Sequence, residues 1–319
     1  MNLYLYLCSH KYRILVEYIH ESYQRHILCG GFLFHFWTGS VFFITLLLIG
    51  FSAFEVLSYR WGIASVVLII FGLFSGCDFR LKRKDLTVVF TLSLLRAITS
   101  FSLIIAYQNI ASGVASTIHF MYPLAVALVM MFVFREKKSL WVIVAVLMSL
   151  SGASVLSLGG VDVKDGNTPM GLVAACVSVF SYAGYIIGVR KTRAVKINST
   201  VLTCYVMSLG ALFYIIGACC TSGLRIVTDG YVWLIILGLA LPATAISNIT
   251  LVQAIKNAGP TLTSILGAME PLTAVVIGVF VFNELFTLNT LIGILLILIA
   301  VSMVVFREHR MKRIKKCRI

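Results

Sequence analysis

Charge is scarce in this sequence. Only 12% of its 319 residues are Asp, Glu, Lys or Arg, about half the quarter or so that a soluble domain uses to cover its surface. An ordinary water-soluble globule is therefore excluded. Acidic residues are scarcest, with 12 against 26 Lys and Arg, a formal net charge of +14. The eight cysteines form no CxxC pair and lie mostly inside apolar runs. That pattern indicates neither a disulfide framework nor a zinc site, and the thiols read as small apolar packing residues. Cys219 and Cys220 are adjacent, and neighbours on a helix point about 100° apart, which argues against their pairing. No Walker-type phosphate loop occurs, so ATP is not a direct energy source. No cofactor or metal is expected. The N-terminus lacks a cleavable signal pattern.

Apolar residues are abundant: 60% of the chain is hydrophobic and the mean hydropathy is +1.00. A membrane-spanning helix needs about 20 mostly apolar residues. Ten such runs occur, near 27–49, 53–74, 86–107, 110–134, 139–159, 169–189, 200–221, 230–251, 258–282 and 286–306. Backbone groups in lipid must be satisfied within the segment, so these are helices rather than strands. The fold class expected is an all-α polytopic membrane protein with ten transmembrane helices.

The basic residues set the orientation. With ten spans, both termini share a side. Twenty-two of the 26 Lys and Arg fall on that side, while the other holds Lys164 and Arg225. Both termini are expected in the cytoplasm, and the protein in a cell membrane, the bacterial inner membrane. The clustering makes topology, rather than nucleic acid, the reason for the net charge. The segments expected are a cytoplasmic N-terminal stretch 1–26, a first five-helix unit 27–159, an extracytoplasmic linker 160–168, a second five-helix unit 169–306 and a basic cytoplasmic tail 307–319. The tail, REHRMKRIKKCRI, suits contact with anionic headgroups.

The two units are related. NIASGVASTIHFMYPLAVALVMMFVFREKKSL from Asn109 aligns without a gap on NAGPTLTSILGAMEPLTAVVIGVFVFNELFTL from Asn257, at an offset of 148. Pro123 meets Pro271, Ser116 meets Ser264 and Glu136 meets Glu284. Earlier, SAFEVLSYRWG resembles NSTVLTCYVMS, with Val56-Leu57 on Val201-Leu202. Five spans per unit is odd, so the second unit enters the membrane inverted. Inverted five-helix repeats are a design of secondary transporters, with substrate bound near the midplane between the halves.

The matched stretches resemble the EamA-type repeat of the drug/metabolite transporter superfamily. The resemblance rests on a mid-membrane proline, a glutamate thirteen residues later, and a last helix containing Gly or Ala. These are Pro123, Glu136, Ala145 and Gly152, then Pro271, Glu284 and Gly293. WTGSVFFITLLL from Trp37 is similar to that family's first helix, and YRWGIA from Tyr59 to its second. The resemblance spans roughly 35–306. It implies a ten-helix carrier, usually an exporter of small metabolites, with the first four helices of each half around a cavity and the fifth peripheral. The superfamily's substrates run from amino acids and sugars to nucleotide sugars and drugs. Two departures stand out: the long N-terminal extension, and Thr45-Leu46 where many members carry a lysine.

An ionisable residue inside a span is a functional candidate by default. Arg96 sits midway along the third run, at an insertion cost of about 2.5–3.5 kcal/mol. That position calls for a substrate or carboxylate partner, a structural ion pair, or snorkelling. Glu270, just before Pro271 and opposite Tyr122 in the alignment, could couple transport to a proton or make a packing hydrogen bond. His119 and Tyr122 share a helix face, and Arg96 stacks with Ser100 one turn on. Thr244 and Asn248 add polar groups in the eighth run. Each neutral residue reads equally as interhelical packing. Pro123, Pro242 and Pro271 bend their helices, as hinges or as static kinks. Arg60, near the outer end of the second run, reads first as snorkelling to headgroups. Gly184 and Gly188 make a GxxxG spacing suited to close packing inside the chain or in a homodimer.

The expected function is a secondary transporter that exports a small metabolite, an amino acid or related compound, by alternating access. Its partners are that solute, the bilayer and a coupling proton or exchanged solute. An intramembrane enzyme is the rival from another class, but His119 has no acidic partner in its own run. A scaffold or sensor is the third reading, though no signalling domain is appended.

Overall fold

Repeated apolar runs leave the chain one way to satisfy its backbone, and every regular element among the described residues is helical. The computed structural model describes residues 46, 49–110, 112–135, 140–157, 167–221, 223–267, 288–289, 291–300 and 302–303. The helices are α1 (Ala53–Phe74), α2 (Arg83–Asn109), α3 (Ser112–His119), α4 (Tyr122–Phe132), α5 (Leu140–Ser157), α6 (Thr168–Lys191), α7 (Ser199–Cys220), α8 (Gly230–Ala240), α9 (Ser247–Ala258), α10 (Pro260–Gly267) and α11 (Leu291–Ala300). Five helical stretches among them are long and apolar enough to cross a membrane: α1, α2, α6, α7 and the continuous Gly230–Ala258.

Local chemistry starts and stops these helices. Ser52 and Glu55 form a reciprocal capping box on α1: the Glu55 amide donates to Ser52 Oγ at 3.3 Å, and the Ser52 amide to Glu55 Oε2 at 2.7 Å. Asn167, Asn198 and Asp229 cap α6, α7 and α8 with side-chain oxygens. Gly259, at φ +91°, ends α9 before Pro260 starts α10.

Two prolines mark departures from regular helix. The run 110–134, expected as one span, is two helices with a turn at Phe120-Met121 between them. Pro123 has no amide to bond the His119 carbonyl, and its ring crowds that carbonyl. At Pro242 the chain widens into a π-helical turn, Leu241–Ile246, and Thr244 Oγ1 donates to the Leu239 carbonyl at 2.8 Å. Pro271 lies outside the described residues.

Large apolar side chains face outward along many helices, including Phe74, Phe180, Leu140 and Leu234, as a lipid-facing surface requires. Inward faces bury Trp61, Leu92, Tyr185, Leu202 and Met207. The helices pair antiparallel. Along α1 and α7, Phe54 meets Gly217, Trp61 meets Gly210, and Cys204 reaches the Ser65 carbonyl. Along α2 and α6, Leu92 meets Gly188, Leu95 meets Gly184, and Thr99 donates to Ser181 at 3.0 Å. The Gly184–Gly188 face is thus filled by leucines of this chain. Gly267 of α10 lies against the Tyr122 hydroxyl of α4. The helices α5 and α11 approach closely at Gly152, where a Cβ would come within 2.8 Å of the Gly293 carbonyl.

Two tyrosines tie these pairs at their ends. Tyr59 donates to the Arg225 carbonyl, and Tyr205 to the Phe79 carbonyl at 2.8 Å. Tyr205 stands 146 residues after Tyr59, and Arg225 stands 146 after Phe79. One contact is therefore the counterpart of the other, with the two halves exchanged.

Candidate functional site

Arg96 and three more of the expected site residues, Ser100, Thr244 and Asn248, lie on one polar chain. The middle of α2 carries Arg96, which is only 9% exposed. Its Nη1 donates to Ser100 Oγ, one turn on, at 3.3 Å, and its Nη2 to Asn248 Oδ1 of α9 at 3.4 Å. Asn248 Nδ2 donates to the Thr244 carbonyl at 2.7 Å. The Thr244 hydroxyl accepts from Arg60 Nε at 2.6 Å. Arg96, Ser100, Asn248, Thr244 and Arg60 are thus one connected polar chain across α1, α2 and the widened helix after Pro242.

Arg60 departs from the snorkelling expected of it. Its Nε turns inward to Thr244. The π-helical turn presents the Thr244 hydroxyl toward α1, and a charge-assisted hydrogen bond in an apolar interior outweighs a long reach to headgroups.

Aromatic rings wall the Arg96 guanidinium. Its carbon lies 5.2 Å from the Tyr182 ring centroid, and 5.9 Å from those of Trp61 and Tyr185. Each such cation–π contact is worth about 0.5–2 kcal/mol. Sequence reasoning missed these three residues. The only signal was spacing: Ser178, Tyr182 and Tyr185 share one face of α6, which reads equally well as ordinary core.

His119 and Tyr122 join the same cluster through Tyr182. The His119 ring stacks on Tyr182 at 5.6 Å and 25°, and Tyr122 meets Tyr182 edge-on at 4.6 Å. His119 Nδ1 lies 2.9 Å from Ser178 Oγ. The Ser178 hydroxyl already donates to the Ala175 carbonyl at 2.6 Å, so it accepts from His119, which places a proton on Nδ1. Glu270 lies outside the described residues.

The electrostatics of the cluster are unbalanced. Among the described residues no carboxylate comes within 4.0 Å of Arg96; the ion pair described there is Arg193–Asp85, at 3.9 Å. Three buried side-chain atoms among the described residues have no hydrogen-bond partner: Arg96 Nε, Tyr185 Oη and Thr263 Oγ1. Clefts lie at the two ends of the α1–α7 pair. One of about 480 Å³ is lined by Gly50, Ser52, Glu55 and Arg225 among others, and one of about 460 Å³ by Asp78, Arg80, Lys82, Arg193 and Lys196 among others. Neither is lined by a residue of the Arg96 cluster.

This is the arrangement of a buried polar site held between helices from both halves of the chain. A profile described as the EamA-like transporter family matches residues 27–158 and 169–306. The chain belongs to the EamA-like transporter family. It is therefore a multi-pass membrane transporter of the drug/metabolite transporter superfamily. In this EamA-like transporter the two matched stretches meet at the polar chain, with Arg96 and Ser100 from the first and Thr244 and Asn248 from the second. One solved structure, described only as "Crystal structure of protein", superposes with a TM-score of 0.77 at 17% identity, over 89% of this chain and 97% of its own. At that identity the likeness is one of fold. No curated protein matches the sequence.

Proposed function

We propose that this EamA-like transporter is a secondary carrier that exports a small metabolite, an amino acid or related compound, by alternating access. Export is driven by proton flow or by counter-exchange. The carrying observation is Arg96: a charge buried at mid-helix, walled by aromatics and hydrogen-bonded to Ser100 and Asn248. A permanent charge there costs several kcal/mol of desolvation by order of magnitude, which a solute binding at the midplane offsets in the transport cycle. His119, Tyr122, Thr244 and Asn248 complete the proposed site, with Glu270 as the coupling carboxyl. Pro123, Pro242 and Pro271 are the proposed hinges.

The architecture in this reading is ten helices in two inverted units, 27–159 and 169–306, joined by 160–168 and flanked by 1–26 and 307–319. Two observations support it. The segments α1 and α7, which correspond in the sequence alignment, run antiparallel, as inverted repeats require. The Tyr59 and Tyr205 contacts exchange at an offset of 146, one residue from the 145 that sets Val56-Leu57 on Val201-Leu202. The distribution of Lys and Arg supports cytoplasmic termini, and the proposed location is a bacterial inner membrane.

The test is to express the wild type and Arg96→Gln at equal membrane levels and compare metabolites in the medium. A metabolite class should rise with the wild type alone. Media that match each other and the empty-vector control, in cells shown to contain the candidate solutes, would refute export.

A further inference from the structure

Resting on the carrier reading above, we infer that the group recognised in the solute is a single carboxylate, bound jointly by Arg96 Nε and the Tyr185 hydroxyl. A buried polar group without a partner costs about 1–3 kcal/mol, and more when charged. Native proteins keep few of them, and each calls for an explanation. Among the described residues the unpartnered buried side-chain atoms are Arg96 Nε, Tyr185 Oη and Thr263 Oγ1. The first two belong to side chains in contact, since the Arg96 guanidinium carbon lies 5.9 Å from the centroid of the Tyr185 ring. Tyr185 is fully buried and Arg96 is 9% exposed.

The chemistry of those atoms defines the partner. Arginine Nε only donates, and a phenol hydroxyl donates readily. Both of the other guanidinium nitrogens are engaged, Nη1 by Ser100 and Nη2 by Asn248, at the long distances of 3.3 and 3.4 Å. An acceptor at the Nε edge would complete the set, and a carboxylate suits that edge because its two oxygens match the planar fork. Charge argues for one carboxylate rather than a phosphate dianion. One arginine neutralises one negative charge, whereas a dianion would leave a net charge buried in a low-dielectric site. The apolar walls, Trp61 and Tyr182, suit the solute's uncharged body. A tyrosine at position 185 is thereby a specificity-determining residue.

Proteoliposomes containing the full chain would be bathed in a uniformly 13C-labelled bacterial cell extract, and their lumen read by mass spectrometry. Labelled monocarboxylates should accumulate with the wild type. Tyr185→Phe, an isosteric change, should lower that accumulation about tenfold, which is what loss of ~1.4 kcal/mol does; Arg96→Gln should abolish it. Phenylacetate should compete with wild-type uptake and phenylacetamide should not, and Tyr185→Phe should narrow that difference. The competition ratio is indifferent to how much variant protein folds. Protein-dependent accumulation of solutes that lack a carboxylate, such as amines or sugars, or an unchanged ratio in Tyr185→Phe, would overturn the carboxylate inference and leave the carrier reading standing. No accumulation above empty liposomes would overturn both.

Discussion

Gly210 offers a sharp test of how the helices set up the site. A methyl group there would fall inside contact distance of the Trp61 indole carbons. Trp61 is 1% exposed, meets Tyr214 edge-on at 5.2 Å, and has the Arg96 guanidinium carbon 5.9 Å from its ring centroid. The ring therefore has nowhere to withdraw without disturbing the polar cluster. Gly210→Ala should cost about 1–3 kcal/mol of overpacking, against a gain of roughly 1 kcal/mol in helix propensity. Gly184→Ala is the matched control. Its methyl would lie 3.5 Å from Leu95, an ordinary contact, so only the propensity gain of roughly 1 kcal/mol remains. The two variants should differ by about 1–3 kcal/mol, with Gly210→Ala the less stable. Unfolding of both, purified in the same detergent and titrated with SDS, measures that difference. Equal stabilities would refute the reading that α7 is glycine at 210 to admit Trp61.

Two further predictions concern the ends and the middle of the bundle. Thr244→Val removes the acceptor for Arg60 Nε and the donor to Leu239; it should cost about 2–3 kcal/mol while Thr244→Ser stays within ~1 kcal/mol of wild type, as SDS titration would read. Tyr205→Phe deletes the bond to the Phe79 carbonyl and should speed maleimide labelling of the half-buried Cys77 nearby, leaving Cys219 and Cys220 at the other end unchanged; site-resolved mass spectrometry would check both.

The polar members of the site were legible because membrane chemistry makes them rare. Arg96 stands out as a charge in an apolar run, and Ser100 follows from helical spacing. Thr244 and Asn248 were legible as polar residues but not as partners of Arg60 and Arg96. That link depends on the widened turn at Pro242, whose geometry arises from a missing amide and from the Thr244 hydroxyl together. The aromatic wall was not legible. Tyr182 and Tyr185 on an apolar helix look like any other packing residues until a guanidinium is seen against them. Arg60 was misjudged because snorkelling depends on depth and on neighbours, and the neighbour comes from a segment 184 residues away.

Composition and apolar run length by themselves determined that this is a helical membrane protein, and the paired motifs that its halves are related. Those features act along the chain: each run must satisfy its own backbone in lipid, and a proline lacks a backbone amide whatever surrounds it. Tertiary structure alone decided which polar groups share a site, which tyrosines tie which ends, and that Arg96 Nε and Tyr185 Oη are left without partners. Such choices depend on how helices are rotated against one another, and glycines such as Gly188 and Gly210 set that rotation by what they leave room for.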